Sequence, residues 1–323
     1  HAAPAGPALV REYSVSTIRG HAEDYLAMRR ALGFKLTTFG QKLLSFVAYL
    51  EAHDMDVLTT DAALAWATAT PRSSDQVHWS RRLMVVRVFA RHLAVLDPAT
   101  QVPPVDLLPH HYRRITPHLY TPDEITALLQ ATDSLRPGLR ALTWRTLIGL
   151  LAATGMRTGE ACRLDRDDVD LSDGLLTVRD SKFGKTRQVP IHASTVQALG
   201  SYAQARDRLL VTPATAAWFV SSRGTRLDHG NLRRTFVPLL EAAGIQVPAG
   251  QRRPRPHDLR HSFAIATLLD WYREGVDVQA RLPWLSTYLG HVDPKSTYWY
   301  LSGSPELLAL AAGRLEHSFK ERL

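Results

Sequence analysis

Residues 255–261 read R-P-H-D-L-R-H, and the proline suits the first turn of a helix. On such a helix His257 and Arg260, three residues apart, share a face. His257 and His261 stand four apart, which is also the spacing of a zinc-binding H-E-x-x-H helix. The pattern argues against zinc, because Asp258 replaces the glutamate, Arg260 places a cation between the histidines, and no third ligand is evident. We interpret His261 as a packing residue or as one that supports the site residues from behind.

The run A-T-G-M-R-T-G-E at residues 153–160 is a second candidate for chemistry. Gly155 ends the preceding helix, and Arg157 and Glu160, three residues apart, face the same way on the next turn. Taken alone, an arginine and a glutamate at that spacing most often form a surface ion pair. The run therefore has weight only together with other patterns.

A change of hydrophobic period at residues 174–191 predicts a β-hairpin. The side chains expected on its core face are Leu176, Val178, Val189 and Ile191. The connecting turn, S-K-F-G-K, carries Lys182 and Lys185. A lysine on a tight turn can extend a mobile ammonium group into a cleft, and the alternative is an ordinary solvated turn residue.

Residues 289–301 read L-G-H-V-D-P-K-S-T-Y-W-Y-L. His291 follows a glycine at a predicted helix end, and Tyr300 comes nine residues later, beyond a proline. An aromatic core cluster is the alternative for the run Y-W-Y at 298–300, and it is the better explanation for any one of these residues alone.

The composition is that of a basic, globular chain. Its 323 residues are 45% hydrophobic and 22% charged, which excludes a disordered polymer and suffices for two domains. No apolar run approaches the ~20 residues of a transmembrane helix, and the first residues lack a signal-peptide pattern. The single cysteine, Cys162, cannot form an internal disulfide and indicates a reducing, intracellular setting. The net charge of +8 suggests nucleic acid, an anionic membrane or an acidic protein as partner.

Hydrophobic periodicity predicts a helical N-terminal domain over residues 1–105. Its helices are expected at 16–32, 38–53, 60–70 and 77–96. The last of these is a basic helix that contains Arg81, Arg82, Arg87 and Arg91. Proline-rich sequence breaks the period from residue 97 onward, and we interpret residues 106–120 as a linker.

Residues 121–323 predict an α+β domain, so the fold as a whole is mainly α with a small β-hairpin. The domain opens with T-P-D-E, a capping box that starts at Thr121. Other elements are helices at 138–153, 193–210, 228–243, 256–274 and 277–288, a short strand at 218–221 and an amphipathic helix at 304–317. The last helix, with Leu307, Leu308, Leu310 and Leu315, is expected to pack either on its own domain or on a neighbouring subunit.

The order Arg, Lys, His-x-x-Arg, His, Tyr behind a basic helical domain resembles the tyrosine recombinase (phage integrase) family, from about residue 118 to 301. The combination is specific, although no single piece is. The resemblance implies a four-helix, SAM-like core-binding domain at 1–105 and a catalytic domain with a C-terminal helical tail at 121–323. The two would clamp the duplex, with the basic helix binding DNA phosphates through the four arginines named above.

Residue by residue, the resemblance implies a catalytic set and one supporting acid, Glu160: the catalytic residues are Arg157, Lys182, His257, Arg260, His291 and Tyr300. Tyr300 would be the nucleophile, because its offset of nine residues from the histidine matches the family, whereas Tyr298 stands at seven. The turn reads S-K-F-G-K where many members have G-K-G-x-K, so Lys185 stays an alternative to Lys182. Counting back from R-Q-V-P-I without a gap aligns Lys182, rather than Lys185, with the lysine of the family.

These residue types fit the breaking and rejoining of DNA. A covalent 3′-phosphotyrosine conserves the energy of the broken bond, so neither ATP nor another cofactor is expected. The guanidiniums of Arg157 and Arg260 would bind the non-bridging oxygens of the scissile phosphate in place of a metal. Lys182 would protonate the leaving 5′ oxygen. The histidines would donate hydrogen bonds or help move the tyrosine proton. The sequence contains neither a nucleotide-binding loop nor a carboxylate metal cluster.

The resemblance implies site-specific recombination of double-stranded DNA, such as the integration or excision of a mobile element. Every exchanged strand needs an active site, so a homo-tetramer in synapsis is expected; a monomer in free solution and accessory or sister recombinases stay open. We expect the protein in the cytoplasm, with the nucleoid. The alternatives are a type IB topoisomerase, which shares the nucleophile and the cations, and a catalytically silent DNA-binding or architectural protein, against which the complete residue set argues.

Overall fold

The computed structural model describes residues 17–69, 76–108, 116–179, 186–210, 215–247, 251–291, 293, 295–301, 306–310 and 312. Within these ranges the fold is mainly helical, with one small sheet. The elements in chain order are α1 Ile18–Ala31, α2 Thr37–Glu51, α3 Thr60–Thr68, α4 Gln76–Leu93, α5 Pro122–Ala131, α6 Gly138–Thr154, α7 Thr158–Arg163, β1 Val169–Asp170, β2 Leu175–Val178, β3 Arg187–Pro190, α8 Ala193–Leu209, α9 Leu232–Ala242, α10 Asp258–Arg273, α11 Val278–Leu289 and α12 Lys295–Leu301. None of the described helices is both long and apolar enough to cross a bilayer.

The chain divides into two compact units, residues 1–114 and 115–323, and the division falls inside the stretch expected to be a linker. The first unit contains α1 to α4, so the four predicted helices are confirmed. Threonine hydroxyls cap two of them, since Thr17 accepts from Gly20 N at 3.3 Å and Thr59 accepts from Ala62 N at 3.1 Å. Apolar side chains from all four helices fill the core; the largest are Tyr25, Phe46, Trp66 and Phe89.

The second unit is built around α6, which packs against α5, α8 and α10. The predicted capping box is confirmed at the start of α5, where the Thr121 hydroxyl and the Glu124 carboxylate each accept the other residue's backbone N–H. Buried Trp144, Leu147 and Leu151 of α6 belong to the main core of this unit. This core fixes the C-terminal end of α6, from which the candidate site begins.

The predicted hairpin is confirmed as β2 and β3, which pair antiparallel with Leu176 opposite Val189. β1, which was not predicted, pairs with β2 on its other edge and completes a three-stranded sheet. Val178 is buried beside this pair, as the alternation predicts. The strand predicted at 218–221 is wrong, because Ala217 and Val220 form only isolated bridges. That run is apolar because it fills the core, not because it belongs to a sheet.

Helices α10, α11 and α12 enclose a second core, in which Tyr300 and Leu307 are buried. The sequence did not predict α12, because a proline precedes it, although proline is compatible with the start of a helix. Residues 306–310 are helical, and Glu306 accepts from Arg273 of α10 at 2.6 Å. The described part of the C-terminal tail therefore packs on its own unit, while Leu308 is exposed and Leu315 lies outside the described residues.

Candidate active site

Arg157 lies in the short connection between α6 and α7. Gly155 ends α6 at φ +59°, and a Cβ at this position would lie 2.6 Å from the ring of Phe263, so a glycine lets α10 pack directly against the turn. The Arg157 guanidinium donates from Nη1 to Glu160 Oε1 at 2.7 Å and from Nη2 to the carbonyl of Gly290 at 2.8 Å. One contact within the turn and one with a distant part of the chain thus fix the direction of this side chain.

Glu160 is a buried carboxylate held between two arginines. Both of its oxygens accept from Arg187, at 3.2 and 2.8 Å, and Oε2 also accepts the backbone N–H of Arg157 at 3.1 Å. Burial alone would raise the pKa of Glu160, but the bonds from Arg187 and then Arg157 outweigh it and lower the pKa to about 2. Glu160 is therefore a carboxylate at neutral pH.

Arg187, the first residue of β3, was missed in the sequence. Its side chain is only 11% exposed, and its Nε donates to the carbonyl of Tyr288 at 3.0 Å. A signal was present, since strand alternation places Arg187 on the same inward face as buried Val189. A charged residue at an inward strand position needs a partner, and here Glu160 is that partner.

Arg260 of α10 is 2% exposed and reaches the same region from another side. It donates from Nη1 to the carbonyl of Gly155 at 2.8 Å and from Nη2 to the carbonyl of Leu289 at 2.9 Å. Burial, followed by the nearby Arg157 cation, lowers the pKa of Arg260 to about 10. Arg260 therefore remains charged at neutral pH.

Three histidines line the site. His257 comes directly before α10, and its ring meets that of His261 edge to face, with centroids 5.2 Å apart. His291 follows α11, and its Nδ1 lies 2.6 Å from the hydroxyl of Thr297. Burial, and then neighbouring basic groups, lower the pKa of His257 to about 4 and that of His291 to about 3. Both imidazoles are therefore neutral at neutral pH.

No metal-binding group of three or more His, Cys, Asp or Glu side chains forms within the described part of the chain. The pair His257 and His261, which has the spacing of a zinc helix, has no such third side chain beside it there.

Tyr300 of α12 is 2% exposed and lies among these histidines. Its ring centroid is 5.5 Å from that of His261 and 6.0 Å from that of His291. It is also close enough to Arg260 for an ionised phenol to raise the pKa of the guanidinium. Tyr298, the nearest tyrosine in sequence, is 51% exposed and makes none of these ring contacts. The fold thus distinguishes two tyrosines that the local sequence does not.

The structure brings Arg157, Glu160, His257, Arg260, His291 and Tyr300 together in the second unit. Lys182 and its alternative Lys185 lie outside the described residues, in the turn at 180–185. Both strands that flank this turn are described, and β3 places Arg187 against Glu160.

The four arginines of α4 fall into two groups. Arg82 donates to the carbonyl of Trp66 at 2.6 Å and lies over its ring at 3.7 Å, while Arg87 donates to the carbonyls of Pro103 and Pro104. These two side chains tie α4 to the rest of the first unit. Arg81 and Arg91 are exposed instead. The sequence alone had assigned all four the same role.

Comparison with known proteins gives consistent matches. Residues 119–306 match the phage integrase family. An integrase/recombinase of Sinorhizobium fredii, y4rB, is 44% identical over 314 residues, which cover 95% of this chain and 100% of that protein. The tyrosine recombinase XerC of Pelobacter propionicus is 30% identical over 276 residues, 82% of this chain and 83% of that one. The structure of a lambda integrase tetramer bound to a Holliday junction is similar in fold, with a TM-score of 0.60, 21% identity, and coverage of 90% of this chain and 78% of that one.

Proposed function

Because this chain belongs to the phage integrase family and is a tyrosine recombinase that catalyses site-specific DNA recombination, we propose that Tyr300 is its nucleophile. The observation that carries the proposal is the position of Tyr300, buried beside neutral His291 and close to the Arg260 cation. Tyr298 lacks this environment. Among the described residues we assign phosphate binding to Arg157 and Arg260.

In the proposed reaction the Tyr300 oxygen attacks the scissile phosphorus, and the bond from phosphorus to the 5′ oxygen breaks. A 3′-phosphotyrosine forms, and the leaving oxygen takes a proton, which we assign to Lys182. The tyrosine must lose its own proton. Without DNA, pKa values of about 4 and about 3 make His257 and His291 weak bases, and the bound phosphate, an anion, raises both pKa values so that one imidazole can take the proton. Attack by a 5′ hydroxyl on the phosphotyrosine reverses these steps and joins the strands.

The two arginines are suited to stabilise the charge that builds up on the phosphate. A guanidinium has five N–H groups. The described contacts of Arg157 and Arg260 each use two side-chain N–H groups, on Glu160 and Gly290 and on Gly155 and Leu289. The remaining N–H groups can bind the non-bridging oxygens, and the carbonyl contacts hold them in place before the substrate arrives.

We infer the partners from the relatives and from exposed charge. The substrate is double-stranded DNA, in keeping with the Holliday junction in the similar lambda integrase structure and with the net charge of +8. Exposed Arg81 and Arg91 make the 1–105 region the candidate core-binding domain, with 106–120 as linker and 121–323 as catalytic domain. Because the similar lambda integrase structure is a tetramer on a Holliday junction, we propose a tetramer in synapsis. From such a substrate we infer that the protein acts in the cytoplasm, with the nucleoid.

The nucleophile can be tested by trapping. A nicked duplex loses a short fragment after cleavage, so that the phosphotyrosine cannot be rejoined and a protein–DNA adduct accumulates. A random-sequence pool of such duplexes serves as the probe, and sequencing of the trapped DNA gives the site. We expect an adduct from the parent and from Tyr298→Phe and none from Tyr300→Phe, with DNA binding retained in all. An undiminished adduct from Tyr300→Phe would refute the assignment.

Type IB topoisomerase activity is the alternative reaction. The trapped sequence can be placed twice in a supercoiled plasmid, and the products separated by gel electrophoresis. A recombinase is expected to delete or invert the plasmid segment that lies between the two sites. Relaxed plasmid without exchange would favour the topoisomerase.

A further inference from the structure

We propose that Arg187 is a positioning residue of the active site. It fixes Glu160 and the C-terminal end of α11, where backbone carbonyls accept from both arginines assigned to phosphate binding. The inference depends on the proposed function, because it concerns the same site. It gives a role to a residue to which neither the catalytic motif nor the resemblance assigned one.

The first observation is the contact between Arg187 and Glu160. Nη1 and Nη2 of Arg187 donate to the two carboxylate oxygens at 3.2 and 2.8 Å, a fork that lysine cannot reproduce. The same carboxylate accepts the Arg157 side chain at 2.7 Å. Arg187 therefore sets the orientation of the group that orients Arg157.

The second observation concerns the C-terminal end of α11. The carbonyls of Tyr288, Leu289 and Gly290 accept, in that order, from Arg187 Nε at 3.0 Å, Arg260 Nη2 at 2.9 Å and Arg157 Nη2 at 2.8 Å. The last carbonyls of a helix lack partners within it and carry the negative end of its dipole, so they are natural anchors for cations. Three consecutive carbonyls thus anchor the three guanidiniums.

The third observation is the packing of Arg187 on Gly290. A Cβ on Gly290 would lie 2.7 Å from Nη1 of Arg187, so the guanidinium lies directly against the glycine backbone. The φ of Gly290 is +71°, a conformation that favours glycine for a second reason. The next residue is His291, so Arg187 also supports the turn that carries this histidine.

Arg187 acts through these groups rather than on DNA. Each of its three side-chain nitrogens donates to a protein oxygen, on Glu160 or Tyr288. The described side-chain contacts of Arg157 and Arg260 involve only Nη1 and Nη2. We therefore assign phosphate binding to Arg157 and Arg260, and their positioning to Arg187.

The test compares single-turnover adduct formation at saturating DNA for the parent, Arg187→Met and Arg187→Lys. We expect Arg187→Met to slow the reaction about 100-fold with unchanged DNA affinity, the effect typical of a misplaced reacting group. The rate of Arg187→Lys should lie between those of the parent and Arg187→Met, because an ammonium keeps the charge but cannot form the paired hydrogen bonds of a guanidinium. If Arg187→Met fails to fold, the lysine variant carries the comparison.

Arg206→Met is the matched structural control. Arg206 is 1% exposed and binds Asp207 and the carbonyl of Trp218, so its loss also removes a buried guanidinium, but away from the site. It should lower the melting temperature without slowing the reaction per folded molecule. An Arg187→Met protein that reacts as fast as Arg206→Met would overturn the proposal.

A bridging phosphorothiolate substrate separates Arg187 from the lysine turn next to it. When sulfur replaces the 5′ oxygen, the leaving group departs as a thiolate and needs no proton. The substrate therefore restores the rate of a variant whose only defect is in the general acid. We expect Arg187→Met to stay slow on this substrate, and a restored rate would show that it acts through Lys182. A parent that forms no adduct overturns the proposed function and this inference together, whereas a parent adduct with an unimpaired Arg187→Met overturns this inference alone.

Discussion

Replacing Glu160 by glutamine removes the charge at the centre of the site and leaves its shape. Glutamine has an NH2 group in place of one carboxylate oxygen, and either orientation of the amide sets this donor against N–H groups of both Arg187 and Arg157. Burial would raise the pKa of Glu160, yet the two arginines lower it from 4.5 to about 2. That lowering corresponds to about 3 kcal/mol of stability at neutral pH. We expect Glu160→Gln to reduce the free energy of unfolding by about this amount, as for other broken buried pairs.

The sign of the pH dependence follows from the direction of this pKa change. Because the pKa in the folded state lies below that in the unfolded state, the stabilisation by Glu160 is complete above about pH 5 and is lost as the pH falls towards 2. The difference in unfolding free energy between the parent and Glu160→Gln should therefore narrow by about 2 kcal/mol between pH 6 and pH 3.

Urea denaturation followed by tryptophan fluorescence measures this difference at each pH. Glu241→Gln is the control, since Glu241 is exposed and its contact with Arg253 is 3.9 Å long. It should change the unfolding free energy by less than about 0.5 kcal/mol at every pH. A gap between the parent and Glu160→Gln that stays constant with pH would refute the ion-pair argument.

Local geometry decides three other outcomes. Gly155→Ala should lower the unfolding free energy by about 2 kcal/mol or more in urea, because a Cβ at φ +59° would lie 2.6 Å from a neighbouring ring; an unchanged value would contradict the packing. His257 and His291, whose pKa values burial lowers to about 4 and about 3, should show neutral-imidazole NMR shifts down to pH 5, and an imidazolium at pH 6 would argue against this. Arg81→Ala should weaken DNA binding and reduce the slope of log K against log salt by about one, whereas Arg82→Ala should mainly lower the melting temperature; the opposite result would reverse these roles.

Most of the helices, α12 excepted, were predictable because each depends on residues that are close in sequence. The apolar period and the Thr121 capping box are local patterns, and both have their expected structural result. The shared face of His257 and Arg260 follows from the helical repeat alone. The strand at 218–221 failed because an apolar run has the same appearance in a sheet and in an irregular core segment.

The contacts that assemble the site could not be read from local patterns. Arg157 meets Gly290 across 133 residues, and Arg260 meets Gly155 across 105. Arg187 meets Tyr288 across 101 residues, and its inward position on the strand was a signal without an identified partner. Arg81 and Arg82 are neighbours in sequence, yet only the packing of α3 on α4 shows that Arg82 serves Trp66.

The charges explain why three guanidiniums can share one small volume and still favour the reaction. Arg157, Arg187 and Arg260 would repel one another, but the Glu160 carboxylate and the carbonyl end of α11 offset part of that repulsion. Both assigned histidines are neutral, so the described groups leave a net charge of +2, from three guanidiniums and one carboxylate. A phosphodiester carries one negative charge and gains more as the tyrosine oxygen adds to phosphorus. We therefore expect such a site to bind the transition state more strongly than the ground state, with side chains already fixed in place.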